Sequence, residues 1–131
     1  PETKKILFNK GTLLAIEANK DFVAMLGNIH DSRLAVVDGR VQDIMSHVSS
    51  HHVGPADFMV ASIPFSFLRP SERMQGVQDA YNILKPNGVF IIFNYSPLMY
   101  RTMKKVFGNT NIAFEARNVL PCFIMIARKE T

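Results

Sequence analysis

The stretch DFMVASIPF, residues 57–65, is the most informative part of this 131-residue sequence. Residues 57–61 have strand length and lack polar alternation, which favours a parallel sheet that is covered on both faces. Pro64 cannot continue a central strand, so the chain is expected to leave the sheet there. Ser62, Pro64 and Phe65 then follow the carboxyl end of a strand, where open α/β sheets bind ligands. The alternative is an ordinary proline turn after a buried strand.

The composition is that of an ordinary globular protein, with 47% hydrophobic and 20% charged residues. Fifteen Lys and Arg residues against eleven Asp and Glu residues give a net charge of +4. This charge permits nucleic acid or an anionic membrane as a partner but requires neither. The one cysteine, Cys122, excludes an internal disulfide framework and lies in an apolar run, which favours a buried, inert thiol. No signal peptide or membrane-length apolar run is visible, so we expect one cytoplasmic domain over residues 1–131.

Strand-like runs alternate with amphipathic helical patterns along the chain. Strands are predicted over residues 12–16, 34–37, 57–61, 89–93, 112–117 and 119–128. Helices are predicted over residues 1–7, 19–29, 41–49, 71–84 (with Ser71 as N-cap) and 98–107, and a turn over residues 85–88. This order predicts an α/β fold with a mostly parallel sheet. The last two strands are separated by one residue, so they form either an antiparallel C-terminal edge or one bulged strand.

The amino end differs from that of a complete doubly wound domain. Such a domain begins with a strand and a glycine-rich turn, whose backbone approaches the cofactor closely. Here a helical pattern comes first, and the seven glycines are scattered along the chain. We therefore expect an N-terminally truncated domain. The alternative is a complete smaller domain that never bound a cofactor.

Four successive predicted strand ends carry residues that suit a ligand. Glu17 follows the first, where an acid can accept hydrogen bonds from both ribose hydroxyls, although a capping or surface acid is the alternative. Asp38 or Asp43 follows the second and could approach an adenine edge, although Asp-Gly is a common turn pair. Residues 62–65 and 94–97 follow the third and fourth. The occurrence of such residues at all four strand ends is stronger evidence for a ligand site than any one of them alone.

This pattern resembles the class I S-adenosylmethionine-dependent methyltransferases. The segments that carry the resemblance are residues 14–17 (LAIE), 37–39 (VDG), 57–65 and 84–90 (LKPNGVF). The last is similar to the Lys/Arg-Pro-Gly-Gly turn of that fold, and residues 3–7 look like the helix after the family's glycine loop. The resemblance implies a Rossmann-like three-layer sandwich that binds S-adenosyl-L-methionine but lacks the first strand and that loop. The implied cofactor-binding residues are Glu17, Ala18, Asp38, Gly39, Arg40, Val41 and Ser62.

Within that superfamily, residues 62–65 and 93–97 look most like those of bacterial phospholipid N-methyltransferases. Residues 118–121 are also similar to that group, although a second proline is lacking. The 62–65 turn resembles, too, the Asn-Leu-Pro-Tyr turn of ribosomal RNA adenine dimethylases, but Ser62 stands where those enzymes have Asn. Both groups tend to have Gly-Asp-Ala where this chain has residues 39–41 (GRV), so the resemblance does not extend to a contact with the adenine amino group. Val41 could still pack on the ring.

The resemblance implies direct displacement at the sulfonium methyl, with the enzyme aligning a neutral amine and excluding water. The implied catalytic residues are Ser62, Ile63, Pro64, Phe65 and Tyr95. Tyr95 or a main-chain carbonyl near Ser62 and Ile63 would orient the amine. Phe65 would shield the site, with core packing as the alternative. The expected partners are the cofactor and a phospholipid headgroup, met peripherally on the inner face of the membrane.

Two alternative functions stay open from the sequence. The chain could be an RNA adenine methyltransferase, or an inactive truncated domain that binds a partner or self-associates through an exposed sheet edge. A zinc site at His47, His51 and His52 is disfavoured because no carboxylate or cysteine lies at ligand spacing. The predicted helix 98–107 has a basic face and a Met/Phe face, which favours core packing over contact with an anionic bilayer.

Overall fold

A computed structural model describes residues 11–117 and 119–131 of the chain. The helix predicted over residues 1–7 lies outside the described residues. Contacts divide the chain into two compact units, one that ends at Val53 and one that begins at Gly54. Among the helices of the described ranges, none combines the length and the apolar character that a membrane span requires. The prediction of one domain over residues 1–131 stays a prediction.

The first unit contains one βαβ motif followed by a further helix. Its elements are β1 (Leu13–Glu17), α1 (Lys20–Gly27), β2 (Leu34–Asp38), a 3₁₀ turn (Val41–Asp43) and α2 (Ile44–Ser50). The two strands pair in parallel, in a register that places Glu17 beside Asp38. Helix α1 begins where the side chain of Asn19 accepts hydrogen bonds from the main-chain N–H groups of Asp21 and Phe22. The crossover thus brings two acidic strand ends side by side.

The second unit is a four-stranded mixed sheet with two helices. Its elements are β3 (Ala56–Ala61), a 3₁₀ turn (Phe65–Phe67), α3 (Pro70–Ile83), β4 (Leu84–Asn94), α4 (Tyr100–Phe107), β5 (Asn111–Glu115) and β6 (Cys122–Arg128). The strand order is β3-β4-β6-β5. Strand β3 runs parallel to β4, whereas β6 is antiparallel to both β4 and β5. The predicted α/β class and its antiparallel C-terminal edge are confirmed.

The core of the second unit lies between the sheet and its two helices. Phe90 and Ile92 of β4 are fully buried, as is Met125 of β6, which pairs with Ile92. Helix α4 contributes Met103 and Phe107 to the same cluster. The Met/Phe face of α4 is therefore core, which is the alternative that the sequence favours over contact with a bilayer.

Strand β3 departs from the prediction that both of its faces are covered. Met59 and Ala61 pack against the core, as residues two apart on one face must. Phe58 and Val60 point to the opposite face, where they are 71% and 60% exposed. An unbroken apolar run therefore does not distinguish a strand covered on one face from one covered on both.

Two other boundaries differ from the prediction. Helix α3 begins at Pro70 with Arg69 as N-cap, not after Ser71, because proline fits the first helical position. Strand β6 begins only at Cys122, so Val119 lies in the connection from β5 rather than in a strand. Pro121 has no N–H to donate to a strand ladder, which is consistent with this later start.

The turn predicted over residues 85–88 is part of the long strand β4, which starts with an irregular register against β3. Asn87 has a positive φ of 66°, a conformation that favours glycine. A Cβ on Gly88 would lie 2.9 Å from the carbonyl oxygen of Lys85. The positive φ at Asn87 and the close backbone approach at Gly88 both favour glycine.

Candidate functional site

A cleft of about 680 Å³ opens at the carboxyl ends of β3 and β4 in the second unit. Strand β6 is antiparallel to β4, so its first residues lie at this same end, where Asn94 pairs with Phe123. The lining residues come from the turn after β3, the end of β4, and the connection that leads from β5 into β6. They are Ser62, Ile63, Pro64, Phe93, Asn94, Tyr95, Val119, Leu120 and Cys122.

Asn94 fixes the geometry of the turn that follows β3. Its side-chain Nδ2 donates to the carbonyl oxygen of Ile63 at 3.2 Å, and its Oδ1 accepts from the N–H of Tyr95 at 2.9 Å. The same Ile63 carbonyl also accepts from the N–H of Phe65 at 2.9 Å. A carbonyl oxygen has two lone pairs, so that of Ile63 is fully used. The carbonyl of Ile63 is thus already occupied within the turn, and the orientation of an amine by Tyr95 or a main-chain carbonyl near Ser62 and Ile63 stays a prediction.

Phe65 does not line the cleft. The tight turn at Ile63 directs its side chain into the core, where it is only 4% exposed. The Nε of Arg73 donates to its carbonyl oxygen at 3.0 Å and holds the backbone in place. The predicted shielding role of Phe65 is thus replaced by its alternative, core packing. Ser62, Pro64 and Tyr95, by contrast, have exposed side chains in the cleft.

The chemistry of the cleft is set by uncharged groups. Its described lining residues include no Lys, Arg, Asp, Glu or His, and the polar side chains are those of Ser62, Asn94, Tyr95 and Cys122. Cys122 is a buried residue, as the sequence predicts. Such a surface can hold a neutral polar group among apolar neighbours but cannot neutralise a charge. It suits a reaction that requires alignment and exclusion of water more than ionic catalysis.

Sequence reasoning placed Asn94 at a ligand-binding strand end without giving it a role, and it missed the exposed pair Val119 and Leu120 as residues of this site. The signal for Asn94 was its position directly after a buried apolar strand, where a polar side chain reaches the neighbouring strand end. The signal for Val119 and Leu120 was Pro121, which marks a loop rather than a strand.

The strand ends of the first unit form a second group of candidate residues. Oε1 of Glu17 accepts from the N–H of Asn19 at 2.7 Å, and the carbonyl oxygen of Glu17 accepts from the N–H of Gly39 at 3.0 Å. Within the described chain, Oε2 of Glu17 has no hydrogen-bond donor. The half-buried carboxylate of Glu17 is therefore held in place through Oε1, while Oε2 is available as an acceptor. This arrangement suits hydrogen bonds from a pair of ribose hydroxyls. The carboxylate of Asp38 is paired with the ammonium of Lys20.

The imidazole of His47 packs directly against Gly39. A Cβ at Gly39 would lie 2.7 Å from Cε1 of this ring, and no partner among the described residues satisfies its buried Nε2. Ala18 and Arg40 are exposed, and Val41 is half-buried at the start of the 3₁₀ turn. Their contacts to a cofactor, like that of Ser62 in the second unit, stay predictions. The described ranges hold no group of three His, Cys, Asp or Glu residues placed to bind a metal ion.

Comparison with solved structures identifies the class of fold. A methyltransferase from Pyrococcus furiosus superposes with a TM-score of 0.68 at 13% identity, covering 99% of this chain and 68% of that one. An rRNA methylase from Streptococcus thermophilus superposes with a TM-score of 0.63 at 10% identity, covering 91% of this chain and 74% of that one. A methyltransferase solved with S-adenosylhomocysteine (SAH) superposes with a TM-score of 0.63 at 16% identity, covering 88% of this chain and 39% of that one. The chain therefore has the Rossmann-like fold of these methyltransferases.

One curated relative is similar in sequence. It is an ornithine lipid N-methyltransferase of Singulisphaera acidiphila, 27% identical over 116 residues, which are 83% of this chain and 58% of that protein. The chain thus spans somewhat more than half of this relative's length. No family model matches the sequence.

Proposed function

We propose that this protein is an S-adenosyl-L-methionine-dependent methyltransferase that methylates the amine of a membrane lipid headgroup of the phosphatidylethanolamine type. The observation that carries the proposal is the uncharged cleft at the ends of β3 and β4, in which Asn94 holds the turn at Ile63 beside Tyr95. The methyltransferase fold and the lipid N-methyltransferase relative support it.

The cofactor would be held by the strand ends of the first unit. Glu17 would accept its ribose hydroxyls through Oε2, since Oε1 is already occupied by the N–H of Asn19. Gly39 follows the end of β2, where its N–H donates to the carbonyl oxygen of Glu17 and ties the two strand ends together. When bound, S-adenosyl-L-methionine supplies an electrophilic methyl group on a sulfonium centre.

The acceptor amine would enter the cleft in its neutral form. No carboxylate of the described lining is available to stabilise an ammonium ion, so the cleft favours the deprotonated amine that has a free lone pair. The hydroxyl of Tyr95, on an exposed side chain, would accept a hydrogen bond from this amine and orient the lone pair. Ser62, in the turn after β3, offers a second hydroxyl among the lining residues. The proposal places the protein in the cytoplasm, on the inner face of the membrane.

A methyl-transfer assay tests the proposal. Protein made from the complete reading frame is incubated with methyl-labelled S-adenosyl-L-methionine and vesicles that contain phosphatidylethanolamine, ornithine lipid or neither. Label in the phosphatidylethanolamine is the expected result. Label in ornithine lipid alone would show that the headgroup proposed for the acceptor is wrong. Label in neither lipid would overturn the proposal of lipid methylation.

RNA adenine methylation is the second candidate, favoured by the rRNA methylase among the structural neighbours and by the net charge of +4. Adding ribosomal RNA to the same assay tests it. Phosphate-driven binding should weaken steeply with salt, whereas insertion of apolar groups into lipid should not. If no acceptor is labelled, the remaining candidate is a binding domain, which could self-associate through the edge strands β3 and β5 of the four-stranded sheet.

A further inference from the structure

Apolar side chains are exposed at the mouth of the cleft. Val119 is fully exposed and Leu120 is 59% exposed, although both also line the cleft. The connection after β4 contributes Tyr95, which lines the cleft and is 68% exposed, and Leu98, which is 38% exposed. We call Tyr95, Leu98, Val119 and Leu120 the rim. Its members come from two separate connections, 95–99 and 116–121, so the exposed apolar surface is not an accident of a single loop.

The rim differs from the apolar face of α4. Met103 and Phe107 are buried, so that helix face is satisfied inside the unit. The rim side chains project away from the core, where exposed valine and leucine lose the free energy that burial would provide. Tyr95 adds an aromatic ring with a polar tip, a side chain that favours the boundary between lipid and water.

Positive charge flanks the rim on both connections. Arg117 lies two residues before Val119, and Arg101 lies in the first turn of α4, three residues after Leu98. Both arginines are exposed, and neither makes a salt bridge within the part of the chain that the structure describes. The carboxylate of Glu115 accepts the main-chain N–H of Arg117. Apolar side chains beside unpaired arginines match an anionic phospholipid surface in both hydrophobicity and charge.

We propose that the rim inserts into the interfacial layer of an anionic phospholipid bilayer and seats the cleft over the headgroups. This inference rests on the proposed lipid methyltransferase function and specifies the surface that meets the membrane. Because Val119 and Leu120 line the cleft, their insertion delivers a lipid amine into it without removing the whole lipid from the bilayer.

The absence of tryptophan from the sequence allows a direct test. The variant Val119→Trp carries one fluorophore at the rim, and Met25→Trp carries one at a residue of α1 that is 64% exposed and does not line the cleft. Both are titrated with vesicles of phosphatidylcholine mixed with phosphatidylglycerol, and with vesicles of phosphatidylcholine alone. We expect a blue shift for Val119→Trp, quenching by brominated acyl chains, and a weaker response without phosphatidylglycerol. No shift, or an equal shift for Met25→Trp, would overturn the proposal.

A sedimentation assay provides an independent measurement. The double variant Val119→Ser, Leu120→Ser should lose vesicle binding by about tenfold or more, since two apolar side chains no longer enter the lipid. The control Met25→Ser should sediment like the unmodified protein. Equal loss in both variants would contradict a contact specific to the rim.

Titration of the unmodified protein with SAH separates this proposal from the proposed function. Binding of SAH without a fluorescence shift would overturn the rim contact and leave the methyltransferase. A fluorescence shift without SAH binding would support the rim contact and overturn the methyltransferase.

Discussion

The side-chain amide of Asn94 donates a hydrogen bond to the main-chain carbonyl of Ile63, joining the end of β4 to the turn after β3 across 3.2 Å. These residues are 31 positions apart in sequence. The bond sets the backbone path from Ser62 to Phe65 and, through Oδ1, the position of Tyr95. One side chain thus joins two of the three segments that line the candidate acceptor cleft.

Replacing Asn94 should therefore impair methyl transfer more than folding. Asn94→Ala is expected to cost about 1 kcal/mol of stability, the usual contribution of a hydrogen bond, and to lower turnover at least about tenfold. Asn94→Asp should be equally impaired, because it keeps an acceptor for the N–H of Tyr95 but removes the donor to Ile63. Denaturant unfolding and the labelled-methyl assay measure the two effects. Asn82→Ala, at an exposed asparagine of α3, is the control, and unchanged turnover in Asn94→Ala would refute the role.

The hydroxyl of Tyr95 should matter for turnover and not for stability. The side chain is mostly exposed, so Tyr95→Phe is expected to leave the melting temperature unchanged. Turnover should fall by about tenfold, because the amine loses one orienting hydrogen bond. The matched control is Tyr100→Phe, which removes the hydroxyl of a tyrosine outside the cleft. If the two variants turn over equally fast, Tyr95 has no part in orienting the amine.

Gly39 should tolerate no side chain while His47 is present. Gly39→Ala is expected to destabilise the protein by about 1–3 kcal/mol, since the new Cβ would overlap the imidazole of His47. The double variant Gly39→Ala, His47→Ala should recover much of this loss, because the smaller side chain leaves space for the methyl group. Urea unfolding of the two single variants and the double variant forms a double-mutant cycle. Additive losses would show that the two residues do not compete for space.

Glu72 should stabilise helix α3 in a pH-dependent manner. The main-chain N–H of Arg69 donates to its carboxylate at 2.8 Å and the Arg69 guanidinium lies nearby, so the pKa of Glu72 is lowered. A lowered pKa means that this stabilisation is complete above the ordinary value of about 4.3 and is lost as the pH falls through the lower folded-state value. At about pH 7 the melting temperature of Glu72→Gln should therefore be lower than that of the unmodified protein. At about pH 3 the difference between the two melting temperatures should be smaller. A constant difference across this range would contradict the assignment.

The fold was largely predictable because its strands and helices have clear local patterns. The residues 57–61 and 89–93 became the parallel pair β3 and β4, and Pro64 ended the first of these strands as predicted. The coverage of β3 was not predictable, because Phe58 and Val60 have the same apolar character as the half-buried Met59, which packs against the core. Whether a second layer lies over a sheet face depends on tertiary contacts that local sequence does not encode.

The candidate site was predictable in position but not in detail. Strand-end reasoning found Ser62 and Tyr95, which share one cleft. It left the direction of Phe65 open between the cleft and the core, because that direction depends on a tight hydrogen-bonded turn at Ile63. It also missed the exposure of Val119, because an apolar residue beside a strand is ordinarily expected to be buried.

The most direct measurement is a calorimetric titration of the protein, made from its complete reading frame, with SAH. We expect one-to-one binding in the micromolar range. Glu17→Gln should weaken it by about tenfold or more, because the ribose hydroxyls lose their charged acceptor. Asp57→Asn, which alters an exposed ion pair with Lys85, should bind as the unmodified protein does. The absence of any binding heat from the folded protein would contradict the methyltransferase function.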